Sequence, residues 1–186
     1  MSSEPNTKKY GIVKIALNLA SACLVSGVVI AATFFITAPI AEQKSIQLKN
    51  DAMKSLVEGA ENFQPVEGKE NWFIAEKGGS AVAYIVPSEN KGYAGTIKLL
   101  VAVNTEGRVI DYDILAHNET PGLGDNASKA PFRDQFNGKS AGSLKVVKDP
   151  TNKENIQAMT GATISSKAVT DGVKKAVDEV KQYLGG

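Results

Sequence analysis

The sequence predicts an α+β domain, an antiparallel sheet with packed helices, carried behind one N-terminal transmembrane helix. Three observations lead there. An uncharged stretch runs from Ile15 to Ala41, strand-like runs crowd the middle of the chain, and a long amphipathic pattern closes it. At 186 residues there is room for one ordinary domain beside the anchor.

The anchor comes first. Its most apolar part runs from Ile15 to Ile36, with Asn18, Ser21, Ser26 and Thr33 as polar interruptions. About 20 apolar residues in a helix cross a bilayer core, and Pro39 marks a stop just past the span. Lys8, Lys9 and Lys14 precede it, against Glu4 as the lone acid. A basic flank stays on the cytoplasmic side, so the expected organisation is a cytoplasmic segment 1–14, a transmembrane helix 15–37, a connecting helix 38–62 and an extracytoplasmic domain 63–186 in the cell (inner) membrane. Ser26 and Gly27 are small enough to meet another membrane helix or simply face lipid. Ala20-Ser21-Ala22-Cys23 falls short of a lipoprotein box, because its first position lacks Leu and the apolar stretch before Cys23 is too short. Small residues near Ala31–Thr33 leave signal-peptidase cleavage as the alternative to a retained anchor.

Beyond the anchor, Ala52, Met53, Leu56, Val57 and Ala60 recur at helical spacing within 42–60. Gly59 and Gln64-Pro65-Val66-Glu67-Gly68 end that helix. Strands are expected over Trp72–Ala75, Ala81–Val86, Thr96–Asn104 and Val109–Ala116, with Asn104-Thr105-Glu106-Gly107 as a hairpin turn between the last two. An irregular segment rich in Gly, Asn and Pro covers His117–Lys129. A short helix over Pro131–Phe136 and a strand over Ser143–Val147 come next. In the final helix, Ser165–Leu184, the residues Val169, Val173, Ala176, Val177, Val180 and Leu184 form one apolar stripe.

Composition narrows the chemistry. Lys and Arg total 21 against 20 for Asp and Glu, with no run of like charge, which argues against a nucleic-acid partner. One Cys, Cys23, and one His, His117, cannot build an iron–sulfur cluster or a Cys/His zinc site. Redox chemistry would therefore need an organic cofactor.

Two segments could carry such a cofactor. Thr160-Gly161-Ala162-Thr163-Ile164-Ser165-Ser166 stands just before the last helix. Gly161 and Ala162 admit close approach to the backbone, and Ser165 or Ser166 can cap a helix whose free amides favour an anion; such residues are also ordinary caps. The second segment is the loop His117-Asn118-Glu119-Thr120-Pro121-Gly122-Leu123-Gly124-Asp125. His117 is either a proton-transfer group or structural, and Glu119 with Asp125 lacks the further ligands of a metal site. No catalytic or metal-binding residue is assigned.

The two motifs together resemble the exported FMN-binding domain of Rnf and sodium-translocating NADH:quinone oxidoreductase complexes. The resemblance covers nearly the whole chain: the basic start, the single span, Gly92-Tyr93-Ala94-Gly95 before a strand, the HNETPGLG loop and TGATISS before the last helix. The short length and the TGATISS variant are more similar to the Rnf type. The resemblance implies an electron-relay subunit in which FMN is bound covalently, through its phosphate, to Thr163, after transfer from FAD by a separate flavin transferase. It further implies that Glu119, Thr120, Leu123 and Gly124 line the flavin, and that Thr160, Gly161, Ala162, Ile164 and Ser165 surround the phosphate end. Implied partners are the other membrane subunits of a complex that couples ferredoxin and NAD to Na⁺ or H⁺ transport, an oxidoreductase and translocase only as a whole. One departure is Gln157, where many members carry Asp six residues before the modified Thr. Trp72, Tyr84, Tyr93 and Phe132 are each candidates to stack on the ring, and each is equally a core residue. The alternatives are a flavoprotein subunit of a quinone-linked or other membrane electron-transfer system, and a tethered scaffold without redox work.

Overall fold

The computed structural model describes residues 6–185, the first five of them by backbone path alone. Met1–Pro5, at the start of the expected 1–14 segment, and Gly186 lie outside the described residues. Contacts divide the chain into two units, Met1–Gln47 and Leu48–Gly186.

In the first unit the described chain is helical throughout, as part of α1, Asn6–Leu56. Its large apolar side chains are open on all sides, Phe35 at 83% and Ile30 at 69% exposure. A helix with an apolar surface all round, left uncovered among the described residues, suits lipid, and it is long and apolar enough to cross a membrane. The hydroxyls within it are satisfied locally: Ser21 donates to the Asn18 carbonyl, Thr33 to Val29 and Thr37 to Thr33. Pro39 does not stop α1, contrary to the sequence expectation. A proline removes one backbone donor, and a helix this long continues on either side of that single loss.

The second unit is layered. The end of α1 lies on one face of a five-stranded antiparallel sheet, in strand order β1-β2-β3-β4-β5. The strands are β1 (Asn62–Pro65), β2 (Phe73–Lys77), β3 (Ser80–Lys91), β4 (Thr96–Asn104) and β5 (Val109–Ala116). Ala52, Met53, Leu56 and Val57 pack there on Ala75, Ala83, Ile85, Leu100 and Ala102. The opposite face carries α3, Thr163–Gly185, whose Ala168, Val169, Val173, Ala176, Val177 and Val180 cover Val86, Ile97, Leu99, Val101 and Val103. Because β4 is covered on both faces, its residues 99–103 are all buried, and alternate side chains serve alternate layers.

Three expectations change. The helix expected to run to residue 62 ends at Leu56, with Gly59 at φ +79° turning the chain and the unforeseen β1 following. Pro65 is tolerated because β1 is an edge strand. β3 runs on past Val86 to Lys91, since β2 ends opposite Ile85 and Pro87 then has an open side for its missing donor. The strand expected over Ser143–Val147 shrinks to β6, Val146–Val147, which pairs in parallel with the unforeseen β7, Ile156–Gln157. The helix foreseen over Pro131–Phe136 is present as α2, Ala130–Arg133, followed by a 3-10 turn.

Polar contacts fix α3 lengthwise on the sheet. The buried Ser88 hydroxyl donates to the Gly172 carbonyl at 2.8 Å, and Asn90 Nδ2 donates to that of Ala168 at 3.3 Å. The approach depends on Gly172, where a Cβ would lie 2.7 Å from Leu99 Cδ1. Gly172→Val is expected to destabilise the full chain by about 1–3 kcal/mol through overpacking. Denaturant titration in detergent measures it, and an unchanged midpoint would show that Leu99 yields freely.

Candidate functional site

Four segments meet around a cleft of 630 Å³: the β3–β4 turn, the loop after β5, the end of β6 and the start of α3. The β3–β4 turn is closed by Gly92 N–H donating to the Gly95 carbonyl at 2.7 Å. In the loop after β5, Leu123 N–H donates to the Thr120 carbonyl across Pro121 and Gly122, the latter at φ +78°. Pro followed by a positive-φ Gly is the pair a type II turn requires. Beyond it, a 3-10 turn over Gly124–Ser128 is tied to β5 by the Tyr112 hydroxyl, which donates to the Ala127 carbonyl.

Glu119 sits beneath the cleft with 5% of its surface exposed. Its Oε1 accepts from the Ala94 amide at 3.0 Å, and its Oε2 accepts from the Ser165 hydroxyl. Burial works against the charge, but the Ser165 hydroxyl, the Ala94 and Tyr93 amides and nearby His117 outweigh it and hold the carboxyl below the usual glutamate range. Glycines let the neighbouring segments close on this side chain. A Cβ on Gly92 would lie 2.5 Å from Oε1, and one on Gly124 would lie 2.7 Å from Oε2 and 2.8 Å from Ser165 Oγ. His117 Nδ1 accepts from the Glu119 amide at 3.1 Å, so the single histidine shapes the loop.

The last helix begins two residues earlier than expected, at Thr163. Ser165 and Ser166 are therefore inside its first turn and are not its caps. Ser166 Oγ accepts from the Met159 amide and donates to the Ala162 carbonyl, which folds the preceding turn back on the helix. Gly161 occupies that turn at φ +75°, a conformation that favours glycine. The first helical amide bond is from Ser166 to the Ala162 carbonyl. Among the described residues, the amides of Thr163, Ile164 and Ser165 have no backbone acceptor. Free amides at a helix start form an anion site.

Of the residues singled out from sequence, Glu119, Thr120, Leu123, Gly124, Gly161, Ala162, Thr163, Ile164 and Ser165 line this one cleft. Thr160 lies in the same turn, exposed, and is not on the cleft wall. Asp125 pairs with Lys129 at 3.4 Å. Among the four candidate aromatics, Trp72, Tyr84 and Phe132 are core residues, whereas Tyr93 lines the cleft and is 71% exposed. Sequence reasoning left Tyr93 among four and missed Lys148 altogether, for it belongs to no motif and reaches the site only through the β6–β7 pairing. Between Lys49 and Gln182, the exposed large apolar side chains among the described residues are Tyr93, Leu123 and Ile164. All three line the cleft.

Exposed apolar side chains gathered at one place mark a ligand surface, and the helix start beside them suits a phosphate. An amphipathic, flat, phosphorylated ligand fits both features, and the cleft volume lies in the ordinary range for such sites. The second unit thus carries a cleft suited to an amphipathic, phosphorylated ligand, in a chain that also holds a helix able to cross a membrane.

Comparison with known proteins agrees. Residues 92–178 match the FMN-binding domain family, a span that starts at Gly92 and takes in every segment of the cleft. The chain is 56% identical over 175 residues to the G subunit of the proton-translocating ferredoxin:NAD(+) oxidoreductase complex of Clostridium ljungdahlii, covering 94% of this chain and 95% of that one. It is 33% identical to the Na(+)-translocating counterpart of Acetobacterium woodii, over 95% and 92% of the two chains. The crystal structure of the C subunit of Na(+)-translocating NADH-quinone reductase from Parabacteroides distasonis superposes with a TM-score of 0.53 at 25% identity, over 62% of each chain. The chain belongs to the family of G subunits of ion-translocating ferredoxin:NAD oxidoreductase (Rnf) complexes.

Glu119 carries a pH prediction. Its folded pKa lies below its unfolded value of about 4.3. Its stabilising contribution is therefore present above that pH and is lost as pH falls through the folded value. The stability difference between the native chain and Glu119→Gln should narrow as pH is lowered from 6 toward 3 in denaturant titrations, whereas a constant gap would contradict the charged hub.

Proposed function

We propose that this chain is the electron-relay subunit of a membrane-bound, ion-translocating ferredoxin:NAD oxidoreductase complex, with FMN attached covalently to Thr163 by a phosphoester bond. The observation that carries the reading is the place of Thr163, half-buried on the cleft wall at the first position of α3, beside three free amides. FMN, when bound, supplies transfer of one or two electrons.

The chain's own residues bind and orient. In maturation the Thr163 oxygen would displace AMP from the flavin-bearing phosphorus of FAD on a flavin transferase. The Oγ1–P bond would form as the pyrophosphate bond breaks, with AMP leaving and the hydroxyl proton passing to solvent. Gly161 leaves room for Leu123, whose Cδ2 would lie 3.2 Å from a Cβ there, and the helix dipole would stabilise the remaining phosphate charge. Thr120, Gly124, Ala162 and Ser165 form the walls of the cleft, and Tyr93, Leu123 and Ile164 offer apolar surface to the ring. The relatives are subunits of larger complexes, so the chain is expected to act only within its own. The other membrane subunits are its partners.

Lys8, Lys9 and Lys14 before the span favour a cytoplasmic N-terminus and an extracytoplasmic flavin domain. The relatives' names give both a proton and a sodium ion, so the coupling ion stays open.

The threonines of the motif allow a clean test. Made together with its transferase and run on a denaturing gel, the native chain should show a fluorescent flavin band that Thr163→Val abolishes. Thr160→Val should keep it. Ser165→Ala should also keep it while destabilising the chain by about 1–3 kcal/mol, because buried Glu119 loses a donor. A band surviving in Thr163→Val would refute the attachment site.

A further inference from the structure

We propose that Lys148 is the charge partner of the flavin phosphate. The proposal rests on the reading of the cleft as the FMN site.

Lys148 follows β6 directly, and β6 is clamped along the strand that leads into the helix start. Ile156 N–H donates to the Lys145 carbonyl at 2.9 Å, and Ala158 N–H donates to that of Val147 at 2.8 Å. From Ala158 the chain continues through Met159–Ala162 into Thr163. The two-residue parallel pair stands apart from the main sheet and half-exposes both of its β6 side chains. Its clearest consequence is to hold residue 148 on the same cleft wall as Thr163.

The charges of the site call for such a residue. Glu119 is ionised and buried under the cleft, and a phosphate diester brings a second negative charge. The free amides of the helix start supply only partial positive charge. Among the described residues that line the cleft, Lys148 is the sole Lys or Arg. Its ammonium is also uncommitted: no described salt bridge or hydrogen bond engages it. The adjacent carboxylate, Asp149, accepts instead from the Thr151 amide at 2.9 Å and the Thr151 hydroxyl at 2.6 Å. Gln157, opposite Val147 on the paired strand, is neutral. An exposed lysine is ordinarily a solvated surface group. Here its flexible stem and three donors stand beside an anion site that lacks any other full positive charge.

The test uses the full chain in detergent, produced together with its flavin transferase, as the native protein and as Lys148→Gln, Lys148→Arg and Lys145→Gln. Lys145 is an exposed lysine off the cleft. Intact mass first reports attachment of FMN, and a native chain without added flavin mass would overturn the FMN reading and this proposal together. On flavin-loaded protein, phosphorus NMR then reads the attached phosphate, and flavin fluorescence anisotropy reads its freedom. Lys148→Gln is expected to shift the phosphorus resonance and lower the anisotropy, with Lys148→Arg restoring both toward the native values. High salt should bring native protein toward Lys148→Gln, because the pair is exposed. If flavin is attached and Lys148→Gln matches Lys145→Gln in both readings, Lys148 is a solvated surface lysine and the proposal fails.

Discussion

Glu119 is the one charged side chain among the described residues that the fold takes almost wholly out of water, and the cleft is built around satisfying it. Burying an unpaired ion costs several kcal/mol, and a carboxylate with well-placed donors avoids most of that loss. The donors come from two directions, the turn after β3 and the first turn of α3. Several choices in the sequence follow from this requirement. Gly92 and Gly124 are small because a Cβ at either would strike the carboxylate. Ser165 has a hydroxyl on the sheet side of a helix because the carboxylate needs its proton, and His117 turns the loop so that the side chain arrives there.

The same contact ends a row. Ser88, Asn90 and Gly92 share one face of β3 and its turn, two residues apart. They meet α3 at Gly172, at Ala168 and, through Glu119, at Ser165. Strand steps of two thus match helix steps of four and three, as the two periodicities demand when the elements run antiparallel. Apolar packing alone would let a helix slide on a sheet, since methyl groups are indifferent to small shifts. Directed hydrogen bonds to backbone carbonyls remove that freedom. The position of Thr163 is therefore set by contacts along the first half of α3.

This division explains what could be read from the sequence. The bounds of β4 and β5 were legible to the residue, because hydrophobic alternation is a local signal and β4 has a strong one. The cleft was legible as two motifs, since Pro-Gly turns and a Gly before a helix write their backbone conformations into the sequence. What stayed hidden depended on partners far along the chain. Ser165 reads as a cap until Glu119 is seen to claim its hydroxyl. Pro65 and Pro87 read as strand breakers until the sheet order shows each with an open side. Pro39 reads as a helix end because local rules ignore the stability of a long helix around it. Lys148 carries no local signal whatever, and only the parallel β6–β7 pair brings it near Thr163.

The cleft itself argues for the kind of attachment proposed. Sites that retain small ligands by affinity bury most of the ligand's surface. Here the apolar rim is open, with Tyr93 71%, Ile164 54% and Leu123 42% exposed. A ring laid on such a surface keeps much of its area uncovered, which lowers the affinity the site can reach without a bond but lets a redox partner come close. Retention and access thus oppose each other in a non-covalent site. The proposed phosphoester to Thr163 would separate them: the bond would keep the cofactor and leave the surface free to stay open. On the same proposal the apolar helix has the matching role at larger scale, keeping the domain at a membrane as the phosphate link would keep the ring at the domain.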